Sequence, residues 1–215
     1  VRMALFHKKP DSGSSAPLYT LGLNKSCLIV GLGNPGKEYA MTRHNIGFDC
    51  VESLAKALEF EGWLHKKDMN CSLISGQAGD QRVIMIKPDT FMNESGRAVQ
   101  AVMHFYKITS DQVIVIHDEL DIEFGKIQTK YGGGSAGHNG LKSIIQHIGE
   151  NFARIRVGIG KDSKVDPADY VLSKFSAEEQ KMLPQLYREA NAIVTEYLYN
   201  TQVQSLGAET RSFII

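Results

Sequence analysis

Five residues hold the groups needed for hydrolytic chemistry: His44, Asp118, Asn34, Asn93 and Asn139. His44 and Asn45 stand immediately before a stretch whose apolar spacing predicts a helix over about 46–58, which puts the imidazole near the positive end of a helix dipole. That placement favours a neutral ring, the state a general base requires. The same residues also fit a plainer role, with Asn45 as an N-cap and His44 as its surface neighbour. Asp118 follows the apolar run VIVIH; its carboxylate could hold a histidine in one tautomer, or it could be a turn acid. Met92 and Asn93 precede a second helical pattern, where Asn93 is either a ligand-facing amide or a cap. The glycine-rich stretch GGGSAGHNGLK, residues 132–142, carries Asn139 to the start of a third helix. Neutral amides donate to a developing oxyanion and accept from water without ionising, so the set suits water attack on an ester or amide. A serine in a G-x-S-x-G nucleophile elbow is not expected, and no cysteine neighbours these histidines in sequence, so a covalent nucleophile gains no support. HExxH and CxxC are missing, so a zinc hydrolase gains no support.

These side chains can meet only if the chain between them folds as alternating strands and helices. CLIVGL, CSLISGQ, RVIMIK, VIVIH, KIQTKYG and RIRVGIG read as strands, separated by helical patterns near 46–58, 94–106 and 140–148. The expected fold class is α/β: a single domain over 25–215 with a twisted mixed β-sheet flanked by helices, ligands meeting it at the strand ends. Ser176 and Glu179 predict a capping box for a short helix, and Pro184 is expected in the first turn of a longer one. Residues 1–24, with KKPDSGSSAP in their middle, are expected to be a flexible leader.

GLGNPGK, residues 31–37, contains both the GxGxxG of a dinucleotide-binding turn and most of a phosphate loop. A dinucleotide site needs a helix starting within the glycines, whereas here Pro35 and irregular sequence delay it to about residue 46. The phosphate loop fails at Glu38, an anion where a magnesium-binding hydroxyl is required. The glycines therefore read as a sharp turn after a strand that exposes Asn34 and nearby backbone amides.

Lys plus Arg and Asp plus Glu are both 24, so nothing global advertises a polyanionic partner. Residues 126–164 nevertheless hold seven cations against two acids, a local excess that could form a phosphate-binding face or a merely solvated one. Three cysteines without metal-ligand spacing suit buried thiols in a reducing compartment, and the cytoplasm is the expected location. No apolar run reaches the ~20 residues of a spanning helix, so no membrane partner is expected.

GLGNPGKEYAMTRHNIGF, KPDTFMNESG, IHDELD, GGGSAGHNGLKSI and RIRVGIG together resemble the bacterial peptidyl-tRNA hydrolase family in order and spacing, over residues 26–201. The resemblance implies a monomeric, metal-independent and cofactor-free enzyme that cleaves the ester between a peptide and the 3′ ribose of tRNA. It further implies His44 as the base that activates water and Asp118 as its orienting acid. Asn34 and Asn93 would position substrate and carbonyl, Asn139 the water or acceptor end, and Tyr39 and Met92 the peptide. Lys130 and Arg156 would clamp the tRNA 5′ phosphate, with the acceptor stem as partner. Ser135, where some members carry histidine, and the short turn GENF at 149–152 depart from the pattern beside the tRNA region. A non-catalytic RNA-binding homologue of the same fold is the alternative, and a nucleotide-dependent oxidoreductase the third reading.

Overall fold

The structure, a computed structural model, describes residues 26–199 and 210–212, so the expected leader lies outside the described residues. Its strands are β1 (Ser26–Gly31), β2 (Leu64–Lys66), β3 (Cys71–Ala78), β4 (Gln81–Pro88), β5 (Val113–Glu119), β6 (Lys126–Tyr131), β7 (Ala153–Gly158) and β8 (Thr210–Ser212). The helices are α1 (Ile46–Ala57), α2 (Ser95–Tyr106), α3 (Asn139–Ile148), α4 (Pro167–Leu172) and α5 (Ala177–Tyr199). One sheet runs in the order β2-β3-β4-β1-β5-β7-β6-β8. The β4, β1, β5 and β7 strands are mutually parallel, and the outer pairings are antiparallel. This is the mixed, helix-flanked sheet that the sequence predicts.

The central strands are near-continuous apolar runs because both faces are covered. On one face Ile29, Met85, Ile114, Ile116 and Val157 meet α1 and α5. On the other Leu28, Val30, Ile84, Ile86 and Val115 meet α2 and α3. At their carboxyl ends β1 and β4 open into the segments that carry Asn34, His44 and Asn93, and Asp118 lies near the carboxyl end of β5, so parallel strand polarity gathers these residues at one end of the strands.

Gly31 and Gly33 of GLGNPG serve helix–strand contact. A Cβ on Gly31 would fall on the Gly47 carbonyl, and one on Gly47 would strike the Ile116 carbonyl and the Leu32 backbone. Backbone therefore touches backbone where α1 enters, and Gly33 lies against the Phe48 ring. The α1 helix begins only at Ile46, as the sequence argument against a dinucleotide turn requires.

Two expectations about the last helix differ from what forms. The Ser176–Glu179 capping box is present, but it opens a single 23-residue helix, α5, with Pro184 in its interior. Leu183, Leu186, Ala190, Ile193, Val194, Tyr197 and Leu198 are buried along one stripe, so packing continues across the proline and outweighs its missing backbone donor.

Candidate active site

Before α1 the chain makes a 3-10 turn, Arg43–Asn45, that fixes His44. Arg43 is the anchor. Its guanidinium forms a two-pronged pair with Glu179 at 2.8 and 2.7 Å and lies over the rings of Tyr170 and Phe175. Its backbone amide donates to the Ser173 carbonyl at 2.9 Å, so α4 and α5 hold the residue next to His44.

His44 is no surface neighbour: its side chain is 11% exposed, and Nδ1 lies 2.9 and 3.0 Å from the two carboxylate oxygens of Asp118. Asp118 is no turn acid; it is the sixth residue of β5 and fully enclosed. Burial alone would raise its pKa, but the charges and hydrogen bonds of His138 and His44 outweigh it and hold the carboxyl well below the usual range. An ionised carboxylate only accepts, so the His44 nitrogen facing it, Nδ1, carries a proton; whenever the ring is neutral, Nε2 is its lone pair.

The second histidine on Asp118 is one the sequence reading missed. His138 Nε2 stands 3.0 Å from Asp118 Oδ1, and its Nδ1 accepts from the backbone amides of Gly140 and Leu141 at 3.1 and 3.3 Å. His138, an imidazole, is thus the N-cap of α3. The available signal was its position at the end of the glycine-rich stretch, two residues before the predicted helix. His117, also unassigned, donates Nδ1–H to the Asp118 carbonyl at 2.7 Å and meets the His138 ring edge to face. Burial, reinforced by His138, pushes its pKa down to about 3, so it stays a neutral wall.

Nitrogen and oxygen ligand atoms of His44, Asp118 and His138 lie within 4.8 Å of one another, the composition of a two-histidine, one-carboxylate metal site. The donor set does not fit one in this state. A metal needs a bare nitrogen facing it, yet His138 Nε2 must keep its proton while Nδ1 accepts two amides. The loop before α3 also contains the G-x-S-x-G spacing, at Gly133 to Gly137, which the motif reading overlooks. Both ring nitrogens of His138 are already engaged, which leaves Ser135 without that base.

Asn34 is 8% exposed, and the turn does not bare its backbone as expected. Asn45 brackets it, accepting from its N–H at 2.8 Å and donating to its carbonyl at 2.9 Å. Asn45 occupies the N-cap position of α1 without a side-chain capping bond, since its amide is spent on Asn34. The Asn34 Oδ1 accepts the Met92 amide at 2.8 Å, which turns Nδ2 into the group left for a ligand. Asn93 is exposed within the 3-10 turn Met92–Glu94, and Asn139 is exposed at the first position of α3. The Met92 side chain is buried, its sulfur packed against Gly140. Phe91, exposed and edge-on to Tyr39 at 6.3 Å, is the apolar group at the rim that the sequence reading did not name.

Arg156 lies on β7 in register with His117, and Lys130 on β6 one strand further out. Lys130 is exposed on β6, two strands from Asp118. Arg156 donates to Glu119 at 3.1 and 3.0 Å and to Gln128 at 3.0 Å.

Residues 28–212 match the family model of peptidyl-tRNA hydrolase. The chain belongs to the peptidyl-tRNA hydrolase family. A peptidyl-tRNA hydrolase of Rickettsia bellii is 50% identical over 153 residues, 71% of this chain and 82% of that protein. One of Mycobacterium ulcerans is 44% identical over 173 residues, 80% and 90% of the two chains. The crystal structure of the Acinetobacter baumannii peptidyl-tRNA hydrolase superposes with a TM-score of 0.74 at 35% identity, covering 86% of this chain and 97% of that one. An Arabidopsis thaliana 5′-methylthioadenosine nucleosidase, 9% identical with a TM-score of 0.51, shares the fold alone.

Proposed function

We propose that this chain hydrolyses the ester joining a peptide, or an N-blocked amino acid, to the 3′ ribose of tRNA. The observation that carries the mechanism is the His44–Asp118 contact, which fixes Nδ1–H on the carboxylate and leaves Nε2 to take a proton from water. Asp118 then stabilises the imidazolium formed as water attacks the carbonyl carbon. The proton passes from His44 Nε2 to the departing ribose oxygen, which returns the ring to its starting state. His138 supports the same carboxylate from the other side.

Asn34 Nδ2 and Asn93 are the amides we assign to the peptide backbone and the attacked carbonyl, and Asn139 to the water or the acceptor end. Tyr39 lines the peptide's path, and Met92 acts there through its backbone amide on Asn34. Lys130 and Arg156 are assigned to the 5′ phosphate of the acceptor stem, a contact that positions any tRNA without reading its bases. The same reading takes the protein to be a cytoplasmic monomer; no helix among the described residues is long and apolar enough to cross a membrane.

The deciding experiment is cleavage of N-acetyl-aminoacyl-tRNA with a chelator present. Wild type should turn over, and His44→Ala should lose about 10²–10⁴-fold in kcat, the range for removing a general base. Full activity in the variant would refute the mechanism, and inactive wild type would return the non-catalytic alternative.

A further inference from the structure

Arg154 is the least explained charge in the molecule. It sits on β7 at 2% exposure, and among the described residues no carboxylate forms an ion pair or hydrogen bond with its guanidinium; Glu150 acts on it only through longer-range attraction. Its partners are two carbonyls of the glycine-rich loop: Nη1 donates to Gly134 at 2.5 Å and Nη2 to Gly133. The guanidinium lies over the Phe152 ring at 4.7 Å, and its Nε is buried without a protein partner. Burying a cation against neutral acceptors costs several kcal/mol, roughly, where a pairing carboxylate is missing. An apolar residue would fill β7 at lower cost, so the guanidinium is retained for what it does to the loop.

That loop is poorly defined by itself. Gly133 has φ 90°, and Ala136, which has a Cβ, has φ 48°. Its other backbone ties are Gly132 N–H to the Phe152 carbonyl at 3.0 Å and His138 N–H to the Ser135 carbonyl at 2.9 Å. The loop ends at His138, whose ring caps α3 and donates to Asp118. We propose that Arg154 is a positioning residue for the hydrolysis: by tying two loop carbonyls to the sheet, it presents His138 Nε2–H to Asp118. The consequence for catalysis rests on the hydrolase reading above; the effect on the loop does not.

The geometry requires a planar fork. Lysine keeps the charge but offers one ammonium and cannot both bridge two carbonyls and stack on Phe152. Glutamine is neutral and reaches one carbonyl. Folded Arg154→Lys and Arg154→Gln should each lose about tenfold or more in kcat, with KM within about twofold, as misplacement of a catalytic cluster does. The ring N–H signal of His138, followed by proton–nitrogen NMR in the free protein, should broaden through faster exchange with water. Millimolar guanidinium added to Arg154→Ala should restore part of kcat.

Unchanged kcat in a folded variant would overturn the proposal. So would a rise in KM alone, which would make Arg154 a phosphate contact, or an undisturbed His138 signal. Failure of every variant to fold would also overturn it, by making Arg154 a stability residue. If wild type cleaved no substrate, the hydrolase reading would fall, and the His138 signal would still decide the loop's dependence on Arg154.

Discussion

Asp118 accepts from two imidazoles at once, and that arrangement depends on its being an acceptor on both oxygens. Asp118→Asn keeps shape and volume but replaces one acceptor oxygen of the cluster with an NH2 donor. If the amide takes the Oδ2 place, 3.0 Å from His44 Nδ1, it opposes Nδ1–H and favours the tautomer with the proton on Nε2, which removes the base; if it takes the Oδ1 place, it faces His44 and also the N–H of His138, whose tautomer the α3 amides enforce. The second arrangement costs more, so the first is favoured. We expect Asp118→Asn to fold, to bind substrate with near-normal KM, and to lose about 10²–10⁴-fold in kcat. Near-wild-type kcat would show that Asp118 does not set the His44 tautomer. The two families of contacts differ in how readable they were. His44 and Asp118 were visible because each borders an apolar run, whereas the role of His138 depends on a loop path that no periodicity encodes.

At the scale of elements, α1 carries both the entry to the site and a half-buried acid. Asp49, in its first turn, accepts the Tyr187 hydroxyl of α5 at 3.2 Å. Burial is the main cause of a pKa pushed up to about 6, with Glu52 adding to it and Tyr187 and Lys87 opposing. A folded-state value above the unfolded one means that this group's contribution to stability is fully present below the ordinary carboxylate value. It is lost as pH rises through about 6. Asp49→Asn keeps an acceptor for Tyr187 and removes the titration. Its melting temperature at pH 7.5 should exceed wild type by about 4 °C, the shift that roughly 1–2 kcal/mol makes in a domain of this size. The gain should vanish near pH 4; a pH-independent difference would sink the assignment to Asp49. Buried strands and amphipathic helices such as α1 were legible in sequence, because burial on one or both faces writes itself into hydrophobic period. The three-residue strands β2 and β8 and the six-residue α4 were not predicted, being too short to establish a period. Pro184 was misplaced because local propensity was weighed without the stripe that crosses it.

For the molecule as a whole, the basic zone at 126–164 becomes smaller once the acids just before it are included. Lys126 pairs with Glu123 at 2.6 Å, Lys161 with Asp121 at 3.0 Å, and Arg156 with Glu119, while Arg154 is spent on the loop. These acids come from 119–123, outside the window in which the charge excess was counted, which is why the sequence overstated the field. Among the described residues Lys130 forms no ion pair, and its ammonium sits beside Gly133. A phosphate can therefore claim its full charge, whereas Arg156 must share its own with Glu119. Each lysine–phosphate contact releases about 0.7–0.9 of a counterion, so the logarithm of KM should fall in slope against the logarithm of salt by about that amount in Lys130→Ala. The contact lies two strands from Asp118, so kcat should change less than KM. Raising salt should bring the two enzymes' KM values together, since screening removes from wild type what the substitution has already removed from the variant. An unchanged slope with raised KM would mean that Lys130 acts through the neighbouring glycine loop and touches no phosphate.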